Sequence, residues 1–221
     1  MTNEPGVDAS TGSRPQVLIW RQPRAAFRQL LETHTRDWSW VLIMAAWATG
    51  AAFLRAFDSG AIKSLPLWLL VVVCVASGLI FGPLQAYLMT AFLRLVGRLS
   101  DKPGTFRELR TAYAWSFLPN AVAGLLLSIL MVGMRVVALT IGGGESPLAV
   151  NMVAVMALVA FAAVLVGWVW SLILLVIGVG EAHRTTTAEG FFQVLGAVVV
   201  LFVTALIVVG FVIVLMARTH S

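Results

Sequence analysis

This sequence has little charge. Only 11% of its 221 residues are Asp, Glu, Lys or Arg, while 60% are apolar and the mean hydropathy is +0.94. A soluble domain carries more than twice that share of charge, and a water-soluble fold of this size has too much surface to cover with so little. An ordinary soluble enzyme is thereby excluded, and the solvent for most of the surface is lipid. Cysteine is also scarce. Cys74 is the only one, so no intramolecular disulfide can form, and its place inside an apolar run makes it a small core residue. Lysine occurs only at Lys63 and Lys102, so the net charge of +5 rests on arginines. These sit at the edges of apolar runs rather than on one soluble domain, which argues for membrane topology and against nucleic acid. Met1 to Pro15 hold Glu4, Gly6, Asp8 and Ser10 but no apolar stretch, so a disordered tail over 1–15 is expected and a cleavable signal is not.

Signatures of chemistry are missing as well. No P-loop, metalloprotease helix or pair of catalytic carboxylates falls in any apolar run. No Asp or Glu lies well inside one, whereas a proton-driven transporter normally buries an acid there. Gly142-Gly143-Gly144 has no strand before it and no Lys-Ser/Thr after it, so it reads as a loop. His34, His183 and His220 are scattered. Glu181 and His183 stand two apart, off a common helical face, and two ligands do not make a metal site. Glu181-Ala182-His183-Arg184 therefore reads as a solvated turn closing a helix. No catalytic residue, metal or cofactor is expected.

What is present is five long apolar runs: Trp38–Ala56, Pro66–Leu95, Pro119–Ile141, Pro147–Gly180 and Phe191–Met216. About 20 apolar residues suffice to cross a bilayer. Val194 to Val214 is unbroken by the alternation that a barrel strand needs, so the spans are helices. The predicted fold is an all-α polytopic membrane helix bundle of five transmembrane helices, forming one domain over 16–216 with a short tail at 217–221. The second and fourth runs exceed a bilayer's thickness, and Pro83 predicts a kink near Gly82–Pro83. Trp168 and Trp170 stand midway along the fourth run, which leaves open whether they mark an interface or lie in the core.

Basic residues near the span ends set the orientation. Arg14, Arg21, Arg24, Arg28, Arg36, Arg94, Arg98, Lys102, Arg107, Arg110 and Arg184 fall on one side, against Arg55, Lys63, Arg135 and Arg218 on the other. By the positive-inside rule the N-terminus is cytoplasmic and the C-terminus outside. Two cytoplasmic interfacial helices are expected. In the first, from Pro23 to about His34, Phe27, Leu30 and Leu31 share a face opposite Arg24 and Arg28. In the second, starting at Thr105, Phe106, Leu109 and Tyr113 oppose Arg107 and Arg110. Anionic lipid attracts such segments, which makes Arg24, Arg28, Arg107 and Arg110 candidate lipid or partner contacts. Gln85, Asn120, Arg135 and Asn151 are the candidate intramembrane polar site, each weighed against hydrogen bonding to a neighbouring helix or, for Arg135, snorkelling to headgroups.

Thr105-x-x-Glu108 and Thr186-x-x-Glu189 each have the form of a capping box. They share a sequence offset with Pro66 and Pro147 and with Gly97 and Gly178, so the second–third and fourth–fifth hairpins form a candidate parallel repeat.

The combination resembles the Yip family, membrane proteins named for interaction with Ypt/Rab GTPases, in a prokaryotic-type member. Four features carry the resemblance over roughly residues 16 to 215. They are Trp20-Arg-Gln-Pro23-Arg-Ala-Ala-Phe27 before the first span, the stretch from Gly104 through Tyr113-Ala-Trp to Pro119, the stretch from Trp170 through Gly178 to His183, and the five-span layout. The resemblance implies a non-enzymatic membrane protein of the bacterial inner membrane. The eukaryotic relatives act in vesicle traffic, but their Asp-Leu-Tyr-Gly-Pro type motif is not found, and Phe81-Gly82-Pro83 echoes it only in part and in the wrong span. That argues against a Rab GTPase as partner. The leading expectation is a membrane organiser that binds partner membrane proteins and anionic lipid. The alternative is a transporter, channel or lipid-translocating protein.

Overall fold

A computed structural model describes residues 19–33, 37–58, 65–101, 104–140 and 147–219; side chains at 134–135, 137–140, 147–154, 156–157, 160 and 211–219 are outside the description. Among the described residues the main helices follow in this order: α1 (Pro23–Thr33), α2 (Ser39–Asp58), α3 (Leu67–Leu99), α4 (Phe106–Ser116), α5 (Leu118–Thr140), α6 (Pro147–Ala182) and α7 (Thr187–Thr219). Among the described residues there is no strand. The protein is an integral membrane protein with the fold of a polytopic helical bundle. Stretches within α2, α3, α6 and α7 are each long and apolar enough to cross a membrane, and α4 with α5, a pair bent by 43°, meets the same measure when taken together, which gives four to five candidate spans. The tail at 1–15 and the glycine run at 142–144 lie outside the described residues.

Each helix begins and ends for a local reason. At the start of α4 the Glu108 N–H donates to Thr105 Oγ1 at 3.3 Å, and the Thr105 N–H donates to Glu108 Oε2 at 2.9 Å. The start of α7 repeats this with Thr186 and Glu189, both bonds at 3.3 Å. Both capping boxes thus form, each satisfying donors that a helix start leaves orphaned. The left-handed residues Asp101 (φ 53°) and Arg184 (φ 55°) terminate α3 and α6, as residues just past a helix C-terminus commonly do. The break between α4 and α5 falls at Phe117, two residues before Pro119. Proline has no N–H to give the carbonyl of Trp115, and its ring crowds that carbonyl, so the helix turns. α3 runs through Pro83 as a single helix.

Length separates two kinds of helix. α2 and α5, of 20 and 23 residues, match a bilayer. α3, α6 and α7, of 33, 36 and 33 residues, are about 50 Å long against a hydrocarbon core of about 30 Å. The end where α3 turns into α4 and α6 into α7 is hereafter the basic end. There α1 and α4 pack among the long helices. One core cluster unites Phe27 and Leu30 of α1, Leu109 and Tyr113 of α4, Met44, Leu93, Leu174 and Val179; a smaller one holds Phe53, Leu70, Cys74, Leu127 and Met131.

α4 is enclosed further than one amphipathic face allows. Leu109 and every residue from Thr111 to Ser116 are buried, and α4 touches α1, α2, α3, α5 and α6. Thr111, Ala112, Ala114 and Ser116 are small, so neighbouring helices close in on all sides. Its polar face reduces to the first turns, where Arg107 and Arg110 lie.

Candidate functional site

The arginines that the sequence singles out come from α1 and α4, and the fold commits most of them to protein partners. Arg24 and Arg28 stand one turn apart on α1, which packs on α6. Both reach Glu181 near the end of α6, Arg24 Nε at 3.7 Å and Arg28 Nη2 at 3.4 Å. Arg24 Nη2 also donates to Thr187 Oγ1 at 2.5 Å. Together with Arg184, Thr185, Thr186 and Glu189 they line an open polar groove of about 600 Å³. Arg110 lies over the Trp40 ring, 4.2 Å from its centroid, and Nη1 donates to the Tyr87 hydroxyl at 3.1 Å. A guanidinium held on an aromatic face is a cation–π contact joining α4 to α2 and α3. Arg107 is exposed.

The intramembrane candidates divide. Gln85 Nε2 donates to the Tyr113 hydroxyl at 3.4 Å, tying α3 to α4. Asn120 is buried at the start of α5, and its Oδ1 lies 2.8 Å from where a Cβ on Gly167 of α6 would be. Its Nδ2 has no hydrogen-bond partner among the described residues. The structure brings neither to a common pocket with the other. The side chains of Arg135 and Asn151 lie outside the description.

The Glu181–Arg184 turn corrects the sequence reading. The turn is there, but His183 is only 5% exposed, not solvated. Two glycines make its slot. A Cβ on Gly97 of α3 would overlap the ring at Nε2 and lie 2.9 Å from Cδ2, and one on Gly104 would sit 3.4 Å from Cδ2. Nδ1 is 3.1 Å from the Val179 carbonyl, which can only accept, so Nδ1 carries the proton and Nε2 is bare. Nε2 is buried with no partner among the described residues. No group of three or more metal-ligating side chains occurs among the described residues. The His183 ring seats the turn after α6 against Gly97 of α3. The signal was available in Gly97 and Gly104, but only the fold shows what they face.

Burial pushes the His183 pKa below its ordinary value, against the smaller opposing effects of the Val179 carbonyl and the Glu108 charge. With the folded value below the unfolded one, the unfolded chain binds the extra proton first as pH falls. The stability that neutral His183 contributes is present above about pH 6.5 and is lost as pH drops through and below that value. The melting temperature in detergent is expected to fall between pH 7 and pH 5. In His183→Gln that part of the pH dependence disappears, whereas an unchanged profile would show that His183 titrates freely in the folded state.

The aromatic residues give the level of the basic end. Trp20 stacks on Trp170 with ring centroids 6.1 Å apart, and Trp168 meets Phe117 edge-on at 6.5 Å. Trp170 is thus level with the segment that leads into α1, and the last turns of α6 lie beyond it.

The Yip1 domain profile matches residues 17–210 of the chain. No curated protein and no solved structure gives a significant match.

Proposed function

The chain belongs to the Yip1 domain family, and we propose that it acts there as a non-enzymatic organiser that binds partner membrane proteins along its lipid-facing helices and anionic lipid at its basic end. One observation carries this reading over transport. Of the four candidate intramembrane polar residues, the two with described side chains, Gln85 and Asn120, are turned to neighbouring helices rather than to a shared cavity. Two open grooves lie instead at the basic end. Broad apolar faces remain for helix partners, with Phe161, Val166, Phe202 and Ile207 each more than 60% exposed on α6 and α7. Arg24, Arg28, Arg107 and Arg110 are the proposed lipid or partner contacts, Arg24 and Arg28 from the rim of the polar groove.

Proteoliposome assays separate organiser from translocator. Purified protein is expected to leave lipid scrambling and ion flux at the level of empty liposomes, while a second membrane protein stays with it through extraction into native nanodiscs. Scrambling or flux above that background would overturn the reading.

The proposed setting is the bacterial inner membrane with the basic end cytoplasmic. Reporter fusions after Arg36, Lys102 and Arg184 are expected to report cytoplasm, and fusions after Lys63, Gly144 and Ser221 the outside. A cytoplasmic C-terminus would reject this orientation.

A further inference from the structure

Three of the four arginines expected to meet lipid are held by protein groups, yet two others are not. Arg94 and Arg98 are the only charged residues of α3 and lie one turn apart near its end. Neither has an ion-pair or hydrogen-bond partner among the described residues, and Arg94 Nε is buried without one. Both border a groove of about 330 Å³, completed by Ala91, Phe92 and Leu95 of α3 and Phe106 of α4. Its lining is apolar apart from the two guanidinium groups. Phe106 is fixed as its wall by stacking on Tyr87, with centroids 5.8 Å apart.

Depth adds an independent argument. Arg94 follows 27 uncharged residues of α3 that begin at Leu67. At about 1.5 Å per residue they cover about 40 Å, more than a hydrocarbon core. The first charge on α3 thus meets the lipid headgroups, while the groove beside it runs back along apolar side chains. Leaving a guanidinium donor buried and unpaired is costly, and a phosphate diester satisfies it with charge-assisted hydrogen bonds.

We propose that this groove is a binding site for one anionic glycerophospholipid, its phosphate held between Arg94 and Arg98 and an acyl chain lying over Leu95, Phe92 and Phe106. The occupant comes from the surrounding leaflet, because the apolar lining has nothing to offer a free phosphate ion. The site deepens the lipid-binding half of the organiser reading, on which it rests, and places that binding on α3 rather than on α1.

The test is native mass spectrometry of the full chain, purified in detergent and titrated with phosphatidylglycerol or phosphatidylcholine. Wild type is expected to retain phosphatidylglycerol preferentially. Glycerophosphoglycerol, which has the headgroup but no chains, is not expected to compete. At about 1 kcal/mol per basic residue near anionic lipid, Arg94→Gln/Arg98→Gln is expected to bind it about ten-fold or more weakly. Arg98→Gln alone, at an exposed position where folding is not at stake, should lose several-fold, with an unchanged melting temperature of the lipid-free protein. Arg55→Gln, an exposed arginine at the other end of α2, should retain wild-type binding. Preferential binding that survives the Arg94 and Arg98 changes but is lost with Arg24, Arg28, Arg107 and Arg110 would overturn this site and leave the lipid-binding reading standing. No preference for phosphatidylglycerol in wild type would overturn both.

Discussion

Gly82→Ala, the addition of one methyl group, is expected to destabilise the protein by about 3 kcal/mol, the upper end of what overpacking a well-filled interior costs. On α3, Gly78 and Gly82 are one turn apart and face α2. A Cβ on Gly82 would lie 2.6 Å from the Met44 carbonyl carbon and 2.9 Å from the Ala45 nitrogen, and one on Gly78 would lie 2.7 Å from the Ala45 oxygen. These neighbours are backbone, and a backbone inside a helix cannot swing aside as the tip of a side chain can. The helices must part, and α2 against α3 is the most extensive contact in the bundle. Lipid supplies no hydrophobic force to push them back, since its tails are as apolar as the surfaces exposed; close backbone approach between small residues is what holds such a pair. Gly82→Leu is expected to abolish assembly altogether. The controls are Gly133→Ala and Gly210→Ala, where a Cβ meets nothing within 4 Å. Those should be neutral or gain up to about 1 kcal/mol from helix propensity. Thermal unfolding in detergent reads all four variants, and a wild-type melting temperature for Gly82→Ala would mean that α2 and α3 are not in backbone contact.

This pair also marks where sequence reading stopped short. Gly78-Leu-Ile-Phe-Gly82 is a small-x-x-x-small motif in plain view, overshadowed by the proline beside it. The spans were legible because apolar runs bounded by proline, threonine or arginine say where a helix can lie in lipid, and observed ends such as Ser39, Leu67 and Pro147 fall at the expected places. The capping boxes were legible because their partners are three residues apart. The ties of Arg24 and Arg28 to Glu181 were not, since they join positions more than 150 residues apart. Nor was the placing of Arg110 on Trp40, which depends on α4 being drawn into the bundle. The candidate repeat gains like features in both hairpins: a long helix, a left-handed residue and a Thr-x-x-Glu cap. It loses likeness at Phe117–Pro119, where one hairpin breaks between α4 and α5 while α7 continues as one helix. The polar candidates Gln85 and Asn120 were legible as polar groups at membrane depth; that they pack against helices follows from Tyr113 and Gly167, which no spacing rule connects to them.

Phe27→Ala is expected to cost about 3–5 kcal/mol, the range for removing a large aromatic side chain from a packed core. If α1 were an amphipathic helix resting on the membrane surface, Phe27 would sit among headgroups and acyl chains, and its loss would leave the detergent-solubilised bundle as stable as before. In the structure Phe27 is fully buried, and its ring presses on α6 where Gly178 leaves room: a Cβ there would lie 2.9 Å from Cε1. The two positions are thus one joint, and a double-mutant cycle identifies it. Gly178→Ala alone should destabilise by pushing the ring out of its seat. Combined with Phe27→Ala, the added methyl group enters space that the missing ring has vacated, so the double variant should be less destabilised than the two single effects added together. Strict additivity would show that the residues do not touch. The joint also bears on function, because Arg24 and Arg28 flank Phe27 on the same short helix and reach Glu181 one turn beyond Gly178. Losing the Phe27 anchor should loosen α1 from α6 and open the polar groove, so that residues 19–33 exchange amide hydrogens faster while the membrane-spanning part of α3 keeps its protection.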